Sequence, residues 1–75
     1  MKRFLWDFFG GDAAGTAGHF AVHLGEWLAR NGLGDAKRGV LATQPGQASV
    51  FVEVPDEAGD QVIRALRPKR MADLG

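Results

Sequence analysis

Seventy-five residues permit one domain, and a chain of that size buries only about 60% of the surface its unfolded form exposes, so its margin of stability is thin. There is no cysteine, which excludes disulfides and thiolate metal ligands, while 45% hydrophobic and 24% charged residues exclude general disorder. Nine basic residues balance nine acidic ones, which argues against a dedicated nucleic-acid binder and removes the self-repulsion that keeps a protein monomeric.

Residues 3–9, RFLWDFF, are rich in aromatic residues and end at Gly10-Gly11, which predicts a strand. Phe4, Trp6 and Phe8 fall on one face of it; Leu5, Asp7 and Phe9 fall on the other. Lys2 and Arg3 ahead of apolar residues resemble the start of a signal peptide. Asp7 interrupts that run, however, and a signal needs roughly 7–15 apolar residues without a break. No stretch approaches the ~18 apolar residues of a membrane helix, so no membrane partner is expected and the chain reads as cytoplasmic.

The period then changes. Asp12 or Thr16 can cap a helix. Ala13, Ala17, Phe20, Ala21, Leu24, Trp27 and Leu28 gather into one stripe of it, wide enough to face a core. Asn31-Gly32 supplies a left-handed stop, and residues 33–38 form a polar loop. Residues 39–43 and 48–54 read as strands joined by the turn Gln44-Pro45-Gly46-Gln47, which predicts a hairpin. Val50, Val52 and Val54 share a face of the second of these, with Phe51 and Glu53 opposite. Asp56 can cap a second helix that buries Ala58, Val62, Ile63 and Leu66, and Pro68 ends it near Leu66. Residues 1–68 thus form the domain, and 69–75 read as a flexible tail, or a short edge strand at best.

The expected fold is a two-layer α+β sandwich, a three-stranded antiparallel sheet with two helices on one face. This is the split βαβ, or ferredoxin-like, order lacking a clear last strand, with the first strand paired to the third. The other face would carry Leu5, Asp7, Phe9, Leu41, Thr43, Phe51 and Glu53, a patch that soluble monomers seldom leave open. The leading functional expectation is a non-enzymatic interaction or regulatory module whose partner is a protein, most simply a second copy. Leu5, Phe9, Leu41 and Phe51 would make the contacts, and Asp7 and Glu53 would set the register.

Other chemistries are poorer fits. In GGDAAGTAGH, Gly10 and Gly15 have P-loop spacing, but Thr16 stands where the lysine belongs and Asp12 brings a negative charge. A small anion resting on the helix amides at Gly15 and Thr16 is what remains of that idea. His19 and His23, four apart, could chelate a metal ion with Glu26 one turn on, although two solvated histidines is the simpler reading. Gly18, Val22, Gly25 and Ala29 form a row small enough for a second helix to approach. Arg64, Arg67, Lys69 and Arg70 could contact phosphate in a nucleic-acid accessory protein, but basic residues at a helix end also complement its dipole. Ser49, Thr16 and Thr43 are the sole hydroxyl nucleophiles, and Asp7, if covered, would have a raised pKa. No catalytic set is recognisable, so neither an enzyme nor a cofactor is expected.

Overall fold

The alternation in RFLWDFF and in QASVFVEV makes the central pairing of the sheet. In a computed structural model, which describes residues 1–75 apart from the side chain of Thr43, β1 (Lys2–Phe9) runs antiparallel to β3 (Gln47–Val54). Phe4 lies opposite Val52 and Trp6 opposite Val50, so the inward sets of the two strands meet. β2 (Lys37–Gln44) joins β3 through Pro45-Gly46, where Gly46 adopts the positive φ of 76° that the turn needs. The helices are α1 (Ala13–Arg30) and α2 (Gly59–Leu66), the latter preceded by a single 3₁₀ turn over Asp56–Ala58.

A fourth strand, β4 (Arg70–Asp73), pairs antiparallel with β1 and completes the order β2-β3-β1-β4. The expectation of three strands and a flexible tail is therefore corrected: the sheet has four strands, and the fold is the full split βαβ arrangement. Main-chain bonding holds β4 in place. The Lys69 N–H donates to the Leu5 carbonyl at 2.9 Å and the Leu74 N–H to the Met1 carbonyl at 2.9 Å. Arg67, in the left-handed region at φ 47°, ends α2 and turns the chain back toward the edge of β1.

Both helices cover one side of the sheet. Phe4, Trp6, Ala48, Val50, Val52 and Val54 meet Ala13, Ala17, Leu24 and Leu28 of α1 and Val62 of α2 in a single buried cluster. Phe20, Ala21 and Trp27 complete the α1 stripe in partly buried positions, and the Phe20 ring packs 5.0 Å from that of Trp6 and 5.6 Å from that of Phe8. Asn31-Gly32 ends α1 as expected. Gly32 is left-handed at φ 72°, the Leu33 N–H returns to the Leu28 carbonyl at 2.8 Å, and the Asn31 side chain donates to Trp27 O.

Other details differ from expectation. Asp12 rather than Thr16 precedes α1, and its side chain makes no capping bond. Asp56 does not cap α2 either, its carboxylate lying 2.9 Å from the Met1 amino group. Ile63 is exposed instead of buried, because Val62 already takes the sheet-facing direction and the next residue lies about 100° further round. Among the described residues no helix is long and apolar enough to cross a membrane.

Trp6 ties the layers together: its ring is buried, and its Nε1–H donates to the Leu66 carbonyl at the end of α2, 2.8 Å away. Replacing it by phenylalanine leaves that carbonyl without its donor and opens space beneath α2. The Trp6→Phe variant should lose about 2 kcal/mol, read as a lower urea midpoint with an unchanged slope.

Candidate functional site

The face of the sheet away from the helices is built in four rows. Lys37, Glu53, Arg3 and Ala72 lie abreast; then Gly39, Phe51, Leu5 and Arg70; then Leu41, Ser49 and Asp7; and finally Gln44, Gln47 and Phe9. Leu5, Asp7, Phe9, Leu41, Phe51 and Glu53 thus share the uncovered side, as the alternation implies. The backbone of Thr43 belongs to β2, but its side chain lies outside the described residues.

Leu41 reaches this side through an irregularity in β2. Gln44 pairs with Gln47 at the turn, yet Leu41 pairs with Ser49, so one extra residue is accommodated between them. Without it, Leu41 would oppose Val50 and face the helices. The same shift sets Gly39 beside Phe51, whose ring lies across it. A Cβ at Gly39 would stand 2.9 Å from the ring edge, so only glycine leaves the ring room to lie flat there. The Arg3 guanidinium covers the ring from above, 5.7 Å from its centroid.

Apart from exposed Lys37, which has no ion-pair partner among the described residues, the charged groups of the face are paired within the chain. Arg3 donates to Glu53 through Nε at 3.1 Å and Nη2 at 2.7 Å. Asp7 accepts the Ser49 hydroxyl at 2.6 Å and a two-pronged contact from Arg70, with Nε at 2.9 Å and Nη2 at 2.7 Å. Asp7 and Glu53 are therefore engaged by their own chain rather than free to set register with a partner. The Arg70 hydrogen bond, aided by Ser49, holds the Asp7 carboxyl below its ordinary value, outweighing partial burial, so the raised pKa considered for a covered Asp7 does not occur. The apolar groups available on the face are Leu41, 44% exposed, near half-buried Phe51 and Leu5, and Phe9, 72% exposed and separated from Leu5 by Asp7.

Three participants escape a reading of the sequence, for different reasons. Arg3 was within reach, since it precedes Leu5 by two on the same face. Gly39 depends on the β2 irregularity and Arg70 on the existence of β4.

The other candidates are dispersed or filled. At the start of α1 the Asp12 carboxylate lies over Gly15, 2.6 Å from where a Cβ would be, so the chain's own negative charge stands at the amides proposed for an anion near Gly15 and Thr16. In the small-residue row, Gly25 is taken up by the Arg38 guanidinium of β2, 3.0 Å from its would-be Cβ, and Val22 is exposed. The four basic residues do not form one patch. Arg70 turns onto Asp7, Arg64 lies in the last turn of α2, Arg67 caps that helix, and the Lys69 backbone joins the sheet edge. His19 and His23 meet through Nε2 at 3.1 Å, but Glu26 approaches the far nitrogen of His23, Nδ1, at 3.3 Å. Glu26 is thus no third ligand, and no group of three metal-binding side chains converges among the described residues.

Fold and face together define a split βαβ domain sheltered on one side of its sheet and open on the other. No family model, curated protein or solved structure matches the chain.

The Asp7 site carries a pH signature. A carboxyl whose native pKa lies below its unfolded value adds stability that is complete above the unfolded value, ordinarily 3.8, and is lost as pH falls through the native one. Wild-type protein should be the more stable at about pH 6, and its advantage over Asp7→Asn should shrink as pH falls below 3.8. Urea midpoints of the two proteins across that range measure the difference.

Proposed function

We propose that this protein is a non-enzymatic interaction module that works through the open face of its sheet, and that the occupant of that face is a second copy of the chain. The observation that carries the reading is the uncovered face itself: Leu41 stands exposed on it beside Phe51 and Leu5, and Phe9 stands exposed beyond Asp7, with no layer of this chain above them. Size and charge favour a second copy over an unlike partner. Three strands of eight residues and a fourth of four make a face of about 500 Å² in projection. Two such faces together come close to the ~1,000 Å² that a specific interface needs. Four charges of the face are matched within the chain, Arg3 with Glu53 and Arg70 with Asp7, so a two-fold partner meets only one unmatched cation per face, Lys37 on the edge strand β2.

The test is sedimentation across a range of concentrations, with substitutions chosen where the side chain supports nothing within the fold. Wild-type protein should pass from monomer to dimer with increasing concentration. Phe9→Glu and Leu41→Glu should each weaken association at least tenfold while leaving the urea midpoint near that of wild type. Phe51→Glu is a poorer probe, since it also removes the ring packed on Gly39. A wild-type chain that stays monomeric at high micromolar concentration overturns the reading.

A further inference from the structure

The flank of α1 opposite Gly25 and β2 carries a second feature, unrelated to the open face. Leu24 points into the core, Gly25 lies against Arg38 on one side, and His23 leaves the helix about 100° round on the other. Four residues earlier, on the same exposed strip, stands His19. The two imidazoles are not stacked. Their planes cross at 68° with centroids 4.6 Å apart, so the rings meet by their edges and bring the two Nε2 atoms to 3.1 Å.

Glu26 fixes one half of this arrangement. Its Oε1 lies 3.3 Å from His23 Nδ1, the nitrogen turned away from His19. In a neutral imidazole one nitrogen bears the proton and the other the lone pair. A carboxylate at Nδ1 holds the proton there and leaves the His23 Nε2 lone pair directed at His19. This is the support that metal-bound histidines receive from a carboxylate behind them.

The spacing of the two nitrogens also suits a metal ion. With metal–nitrogen bonds of about 2.0–2.1 Å, nitrogens 3.1 Å apart subtend about 100° at a shared ion, between the square and tetrahedral angles. We propose that His19 and His23 form a two-imidazole chelate for a divalent transition metal, with Glu26 as the positioning residue that orients His23. In the metal-free protein the His19 Nε2–H donates to His23 Nε2. On binding, that proton moves to His19 Nδ1 through solvent, and both Nε2 lone pairs turn to the ion. Imidazole donors select Cu²⁺, Ni²⁺ and Zn²⁺ over Mg²⁺ and Ca²⁺, with Cu²⁺ bound most tightly. Water fills the remaining positions, so the ion is held reversibly and stays accessible to an external ligand.

The experiment titrates Zn²⁺, then Cu²⁺, into the full chain while the imidazole ring protons are followed by NMR and the copper band by visible absorption. One Zn²⁺ per chain should shift both rings together at micromolar concentration, and Mg²⁺ should shift neither. His19→Ala and His23→Ala should each weaken binding more than tenfold. Glu26→Gln should weaken it about tenfold, since it leaves both ligands in place but removes the charge behind one of them. Zn²⁺ should raise the thermal midpoint of wild type and not that of the histidine variants. All three side chains are exposed, so the variants should keep the fold, which the urea midpoint checks. Rings that titrate independently and ignore millimolar Zn²⁺ overturn the proposal, as does a His19→Ala chain that binds as tightly as wild type. The dimer reading is tested separately, because Phe9→Glu should bind Zn²⁺ as wild type does.

Discussion

Phe4 faces Val52 across the β1–β3 ladder and Leu5 faces Phe51, and this alternation decides which side of each central strand the helices shelter. A slip of β1 by one residue would carry Phe4 and Trp6 to the open side, away from the valines, and bring Asp7 under α1. The penalties would be severe on both counts, with a carboxylate desolvated and the Trp6 and Phe8 rings parted from Phe20. The core, the Ser49–Asp7 hydrogen bond and the composition of the open face are therefore consequences of one register. β4 depends on it as well, because Arg70 reaches Asp7 only while Asp7 faces outward.

How much of this could be read from the sequence follows from how local each cause is. The strands β1 and β3 and the helix α1 announce themselves through periodicity over seven or more residues, and their stops through Gly10-Gly11, Pro45-Gly46 and Asn31-Gly32. Which residues occupy the uncovered side was legible for the same reason. β4 was not, since Arg-Met-Ala-Asp has neither alternation nor strong strand formers, and all four of its side chains are exposed. Its order comes from the free edge of β1, a cause that lies about 65 residues away in the chain. The placement of Leu41 was right, yet only the irregularity near the turn makes it so. A regular hairpin from Pro45-Gly46 would have set Val40 there instead. The fates of Asp7 and Glu53 were the least legible, because each turns on a partner whose position is fixed by tertiary pairing.

The internal ion pairs change the character of the open face. A bare patch of four apolar side chains would favour indiscriminate association. Here Arg3 and Glu53 border the Phe51 ring on one side, while Arg70 and Asp7 stand on the other, each cation matched before any partner arrives. Paired charges lose less on desolvation than free ones, so such a border can be covered at modest cost, whereas a partner that leaves one of the charges unmatched is penalised. In the proposed dimer, apolar area would supply attraction and the ion pairs selectivity.

The two layers of the fold also divide the chemistry. Glycine serves the sheet layer at position 39, where the Phe51 ring lies against the strand, and the helix layer at position 25, where Arg38 of β2 crosses over α1. With Arg38 covering that flank of α1, the opposite flank is left to His19, His23 and Glu26, separated from the open face by the full thickness of the core. A ligand on the histidines and a partner on the sheet would touch no common residue, and the rigid β1–β3 pair between them offers no second arrangement through which one could sense the other. The geometry thus describes two independent surfaces on one small scaffold, with coupling between them expected only if association itself brings two α1 helices together.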